Sequence, residues 1–234
     1  MKFSQVVSIS LLLLTKYVRS DFTEGQPCTE KNTAYLTDEH QTIPEIRIYC
    51  VDVTGFKSNV DGNANLDQYK SFFDASQTAE TLYSNSLELT SFPVNVISSL
   101  PNLQLVDLNF NHITNLPTEL FKYAPNIKTL LLAGNRILVP EEGPLLVSDT
   151  LETLMLTNNL INKLYESTFK ELPNLHVLYI DDNNLQDLVP IYGTVPNLQY
   201  LDVRRNYIKH LPSRGDISTS LKRYFSKPQK ELQQ

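Results

Sequence analysis

A repeat constrains this chain more than any other feature. In residues 103–117, LQLVDLNFNHITNLP, apolar side chains recur at Leu103, Val106, Leu108, Ile113 and Leu116, with Asn111 between them and Pro117 at the end. The spacing returns at Ile127, Leu130, Leu132, Asn135 and Ile137, then at Leu151, Leu154, Leu156, Asn159, Ile161 and Leu164. It returns twice more, at Leu175, Leu178, Ile180, Asn183, Leu185 and Leu188, and at Leu198, Leu201, Val203, Asn206, Ile208 and Leu211. With a weaker copy starting at Ala79, successive copies begin 24, 24, 24, 24 and 23 residues apart. A fixed period of this size means stacked units, because one such unit is too small to bury its own apolar face.

The pattern dictates local structure. In each LxL segment alternate side chains point to opposite faces of a short strand, so the leucines enter the core and their neighbours face outward. The chain then turns sharply, leaving backbone groups unpaired, and a buried side-chain amide with both donors and an acceptor can meet them. Asn111, Asn135, Asn159, Asn183 and Asn206 are therefore expected to form a ladder. The copy at Ala79 is its weak link, with Leu87 at the asparagine position and Ser84 in place of a core leucine. On the return side Ile97 with Leu100, Phe121 with Ala124, and Phe169 with Leu172 precede Pro-Asn pairs and read as core. The run Pro140-Glu141-Glu142-Gly143-Pro144 and the residue lost near Tyr192 and Gly193 predict irregular loops.

On these residues, 79–212 resembles the typical extracellular class of leucine-rich repeats, as in Toll-type receptor ectodomains, small leucine-rich proteoglycans and insect immune factors. The resemblance implies an α/β solenoid. Its concave face would be a curved parallel β-sheet, its convex side irregular, 3-10 or short helical, and its amino-terminal cap tied by a disulfide. It implies little about function, since receptors, matrix proteins, inhibitors and carriers share the fold.

The ends read separately. Lys2, the apolar run Val6–Leu14, and Val18 and Ser20 before Asp21 mark residues 1–20 as a cleaved signal peptide, and hence a secreted protein. That run is far shorter than the roughly 20 residues needed to cross a bilayer, so no membrane insertion is expected. Cys28 and Cys50 are the two cysteines. In an oxidising compartment one bridge between them is the simplest reading; two thiols or a bridge to another chain are the alternatives. Residues 21–78 form the cap, with a strand expected around Ile46, Ile48 and Cys50. They also hold a degenerate repeat whose short helix contains Leu66, Tyr69, Phe72 and Phe73. Extracellular caps of this type often carry four cysteines, against two here. Residues 213–234 read as a polar basic tail with a short helix near Leu221–Phe225 and a frayed end. They include Arg214-Gly215-Asp216, an integrin-recognition tripeptide.

No catalytic pattern stands in the chain: there is no GxSxG elbow, HExxH, phosphate-binding glycine loop or zinc-ligand spacing. The expectation is a non-enzymatic protein without cofactor or metal. The formal charge is −6, and −9 without residues 1–20, which argues against nucleic acid as a partner. Asp181 and Asp182 are adjacent, point in different directions at a strand end, and do not make an acid/base pair.

The outward face of the strands can be read in columns. Between the two strand leucines stand Tyr83, Asp107, Leu131, Met155, Tyr179 and Asp202; two residues earlier stand Thr81, Leu105, Thr129, Thr153, Val177 and Tyr200. Neighbouring strands lie about 4.8 Å apart, so Leu105, Leu131, Met155, Val177, Tyr179 and Tyr200 should build an apolar and aromatic strip on the concave wall. Asp181 and Arg204 border it. Such a strip suits an extracellular protein partner, or a small apolar ligand. The alternative is a structural or matrix component, or a non-catalytic subunit, assembling through flanks or tail.

Overall fold

In the computed structural model the described residues are 33–35, 50–52 and 70–231. They fall in one compact unit spanning 32–234. The signal segment, Cys28 and Leu66 with Tyr69 lie outside them.

Nine three-residue strands form one parallel sheet in chain order: β1 (Thr33–Tyr35), β2 (Cys50–Asp52), β3 (Thr81–Tyr83), β4 (Leu105–Asp107), β5 (Thr129–Leu131), β6 (Thr153–Met155), β7 (Val177–Tyr179), β8 (Tyr200–Asp202) and β9 (Arg223–Phe225). The register is unbroken, so Leu105, Thr129, Thr153, Val177, Tyr200 and Arg223 stand in one row. The middle residues Leu82, Val106, Leu130, Leu154, Leu178 and Leu201 have no exposed surface. Burying a side chain of this kind stabilises by about 1.5–3 kcal/mol, and each coil adds several.

The return side carries short elements: α1 (Lys70–Ala75), α2 (Val94–Ser98), α3 (Leu120–Tyr123), a 3-10 turn (Val189–Ile191) and α4 (Arg214–Ile217). Phe72 and Phe73 sit on α1, buried and packed edge to face with centroids 5.2 Å apart. Ile97, Leu100, Phe121, Ala124, Phe169 and Leu172 are buried, as their repeat positions require. Residues 138–150 stay irregular between Pro140, Pro144 and the left-handed Gly143, and Leu145 and Leu146 fill the core in place of a helix.

The asparagine ladder is built as expected. The Asn159 amide nitrogen donates to the carbonyls of Leu132 and Leu156, at 2.9 and 3.1 Å, and its oxygen accepts from the Ile137 amide at 2.9 Å. Asn135 and Asn183, one coil away on either side, and Asn206, two coils on, repeat these bonds. Asn111 accepts from both Leu87 and Leu89 and donates to Ser84. The Ser84 hydroxyl, buried where other coils place a leucine, finds no partner among the described residues. A second ladder, unexpected from the sequence, runs along the Pro-Asn pairs. Asn102, Asn126, Asn174 and Asn197 each donate to a carbonyl 24 or 25 residues back, and Thr150 does the same with its hydroxyl.

The turn after each of β3 to β8 places a residue in the left-handed region, and the β3 coil holds a second, Glu88. Ser86, Phe110, Gly134, Asn158, Asp182 and Arg205 all have φ between 54° and 67°. Glycine, asparagine and aspartate tolerate this; a bulky phenylalanine there is strained. Phe110 lies with its ring against Gly134, where an added Cβ would stand 2.6 Å from Phe110 Cδ1.

The carboxyl-terminal segment differs from its sequence reading. It is a seventh coil, not a frayed tail. The helix lies at Arg214–Ile217, and Arg223–Phe225 is a strand paired to β8. Ile217 and Leu221 are buried. Gln229 takes the ladder position: its amide oxygen accepts from Ile208 N at 3.1 Å and its nitrogen donates to Val203 O at 2.9 Å. Leu221, Tyr224, Ser226 and Gln229 stand 23 residues after Leu198, Leu201, Val203 and Asn206, a match hidden because only Leu221 keeps the repeat residue type.

Candidate functional site

The outward column contains the residues that sequence periodicity singled out, in the predicted order. Leu131 is in register with Asp107 and Met155, Met155 with Tyr179, and Tyr179 with Asp202. These side chains are closely covered. Leu131, Met155 and Tyr179 are 6%, 5% and 5% exposed. The cause is crowding: strands about 4.8 Å apart leave no gap between side chains, and the flanking columns lean over the middle one. Leu105, Val177 and Tyr200 are half-buried. The strip is therefore a floor of Leu131, Met155 and Tyr179 with a more open edge at Val177 and Tyr200.

At the carboxyl-terminal end the floor becomes aromatic. The Tyr179 and Tyr200 rings lie 4.8 Å apart at 45°, and Tyr200 and Phe225 lie 5.3 Å apart at 39°. Phe225 is 38% exposed, and the Arg204 guanidinium sits 5.2 Å over its ring. Burial, then the neighbouring Tyr200, pushes the Tyr179 hydroxyl far above the ordinary phenol value, and Tyr200 is raised chiefly by burial too. Both stay neutral hydrogen-bonding groups. The periodicity does not point to Phe225, because its segment departs from the leucine and asparagine types of the repeat.

Beside the aromatic rings runs a rail of charge. Asp202, with no exposed surface, receives Arg204 through Nε at 3.0 Å and Nη2 at 2.5 Å, and its Oδ1 also accepts the Arg204 amide. Asp181 is 2% exposed; it accepts from Thr157 Oγ1 at 2.6 Å and pairs with Arg205 Nη2. Asp182 takes Arg205 Nε at 3.2 Å and Lys230 Nζ at 3.0 Å. The two adjacent aspartates do diverge, yet one guanidinium spans both. Burial raises the Asp181 carboxyl above its usual value. The Thr157 hydrogen bond and the nearby Arg205 and Arg204 work against that rise, while Asp202 adds to it. Burial also opposes ionisation of Asp182, but the hydrogen bond and charge of Lys230, with Arg205, outweigh it and hold that carboxyl below its usual value. Cations already occupy these carboxylates, so the arrangement is a fixed ion-pair network and not a metal site.

Arg214-Gly215-Asp216 opens α4. The Asp216 carboxylate accepts from Ser213 N at 2.8 Å, completing a capping box, and Arg214 Nη1 donates to the Lys222 carbonyl at 3.0 Å. Both charged ends of the tripeptide are engaged locally. An open trough of about 430 Å³ along the start of the strands, lined by Thr78, Glu80, Asn102, Gln104, Asn126, Lys128 and Thr150, is polar and suits no apolar ligand. Cys50 opens β2; pairing with Cys28 involves residues outside those described.

Comparison with known proteins agrees with this architecture. A leucine-rich-repeat family model matches residues 149–192. Osteomodulin of Bos taurus is 31% identical over 147 residues, covering 62% of this chain and 34% of its own length. Epiphycan of Homo sapiens is 31% identical over 128 residues, covering 54% of this chain and 38% of its own. Podocan of Mus musculus is 28% identical over 121 residues, 50% of this chain and 19% of its own. The chain thus spans well under half the length of these relatives. Among solved structures, internalin C2 of Listeria monocytogenes aligns with a TM-score of 0.51 at 25% identity, over 70% of this chain and 67% of that one. Repeat, ladder, sheet and relatives converge on the fold: the chain is a leucine-rich-repeat solenoid, similar over part of their length to osteomodulin, epiphycan and podocan.

Proposed function

We propose that this is a secreted binding protein that recognises an extracellular protein partner on the outward, concave face of its sheet. The observation that carries the reading is the continuous Tyr179–Tyr200–Phe225 stack, with rings 4.8 and 5.3 Å apart, beside half-buried Val177. Aromatic residues on a rigid backbone supply contact area at little entropic cost, and they are enriched at interface cores. Leu105, Leu131, Met155 and Tyr179 set the shape of the floor, Val177 and Tyr200 make the contact, and the rail of Asp181 and Arg204 orients the partner. Capture from the native extracellular fluid on the immobilised full chain, with mass spectrometry and a Val177→Asp control, tests it. A partner lost on Val177→Asp supports the reading. A partner retained at full yield by that folded variant overturns it.

A second reading, assembly through the flank, is favoured by Leu138 and Leu160, 56% and 57% exposed in the segments that leave the strands. It predicts that Leu138→Asp with Leu160→Asp abolishes capture while Val177→Asp does not.

A further inference from the structure

The charge of the solenoid is unevenly spread along its axis. Residues 79–197 hold thirteen carboxylates against five lysines and arginines, whereas residues 198–231 hold eight cations against three carboxylates. The reversal falls between β7 and β8. The cations of the sixth coil that face the sheet are committed to Asp202, Asp181 and Asp182. In the seventh coil Lys230 is likewise paired with Asp182, whereas Lys222 donates to the neutral Gln199 amide oxygen at 2.7 Å, and Lys222, Arg223 and Lys227 are all exposed. Phe225, 38% exposed, stands among them on the same strand or next to it.

Resting on the concave-face reading above, we infer that the sixth and seventh coils receive an acidic segment of the protein partner. Its carboxylates meet Lys222, Arg223 and Lys227, and an aromatic or apolar side chain lies on the Tyr200–Phe225 shelf beneath Arg204. Three features support this occupant. The margin is cationic while its centre is an aromatic face, a combination that suits a polypeptide with alternating acidic and apolar side chains. Asp202 neutralises Arg204 at that centre, so a closely spaced row of glycan sulfates would meet a carboxylate there. Residues 79–197 carry a surplus of carboxylates, with Asp187 of the fifth coil exposed, so the cationic margin is confined to the carboxyl-terminal coils.

The test uses the full secreted chain and two labelled synthetic peptides, repeating Glu-Tyr and repeating Lys-Tyr, with heparin as a third probe, read by fluorescence anisotropy and calorimetry. Glu-Tyr is expected to bind and Lys-Tyr not to. Phe225→Ala and the double variant Lys222→Glu/Lys227→Glu are each expected to weaken Glu-Tyr binding by about tenfold or more. Raising salt from about 0.05 to 0.5 M is expected to weaken it further. Equal binding of both peptides, no binding of either, heparin binding without Glu-Tyr binding, or unchanged affinity in the variants overturns the inference. Thermal melting accompanies each variant; if Phe225→Ala is unfolded, the double variant decides, since both lysines are exposed. Loss of the captured native partner on Val177→Asp but not on Lys222→Glu/Lys227→Glu removes this inference and leaves the broader concave-face reading in place. Retention in both removes the two together.

Discussion

Gln229 stands one rung beyond Asn206 and copies its bonds with a side chain one methylene longer. The Asn206 oxygen accepts from Leu185 N and its nitrogen donates to Ile180 O; the Gln229 oxygen accepts from Ile208 N and its nitrogen donates to Val203 O. Gln229→Ala leaves the Ile208 amide unmet at a half-buried site, while Val203 O keeps Asn206 Nδ2 at 3.0 Å, and the change is expected to cost about 1–2 kcal/mol. Asn159→Ala, at the centre of the ladder, is expected to cost about 3 kcal/mol because its partners are fully buried. Urea unfolding ranks the two, and amide exchange at Ile208 should accelerate in Gln229→Ala. Equal costs would contradict this account.

Gly134 and Phe110 form a second coupled pair. Gly134 has φ +67°, and any Cβ there meets Phe110 Cδ1 at 2.6 Å. Gly134→Ala is therefore expected to destabilise by about 1–2 kcal/mol, from left-handed backbone and clash together. In Phe110→Ala the clash disappears and the backbone cost remains. A double-mutant cycle by thermal melting should give a coupling of about 0.5 kcal/mol or more, and strict additivity would rule the contact out.

The adjacent aspartates should respond to pH in opposite senses. Asp181 has a raised carboxyl pKa in the fold, so the native state takes up its proton first as pH falls from neutral. Its presence favours folding increasingly as acid approaches the ordinary Asp value, and that contribution is lost as pH rises through the folded pKa. Asp182 has a lowered pKa; its contribution is complete above the ordinary Asp value and is lost as pH falls through the lower folded one. Stability measured from pH 7 down to pH 3, relative to wild type, should therefore worsen for Asp181→Asn and recover for Asp182→Asn. Parallel curves would refute the assignment.

Arg214-Gly215-Asp216 is expected to be silent as an adhesion signal, because the tripeptide forms the first turn of α4 with both side chains engaged. Cell attachment to the immobilised chain should be the same for wild type and Asp216→Glu, and insensitive to a competing linear tripeptide. Attachment abolished by that substitution would show that the turn opens.

Much of this structure was legible in the residues. Strand positions, core leucines and every rung from Asn111 to Asn206 follow from spacing, because a period of 24 and an LxL alternation permit only one placement. The column of Leu131, Met155 and Tyr179 was legible in direction but not in accessibility: periodicity says which face a side chain takes, not how much its lateral neighbours cover. The seventh coil was missed because Tyr224, Ser226 and Gln229 satisfy the positions of leucine, leucine and asparagine without resembling them. Phe225, the exposed aromatic of β9, is hidden with it. The Pro-Asn ladder escaped because proline and asparagine before a strand read equally well as a plain turn.

Each ladder amide ties its own coil to the one before it, so a coil that lacks the amide loses that tie to its predecessor. Leu87 carries no amide to extend this linkage toward β2, and the nearby Ser84 hydroxyl finds no partner among the described residues. The boundary before β3 is thus a fault line in cooperativity: under heat, denaturant or pulling force the coils from β3 onward hold as one block, and the strands before them part from it first.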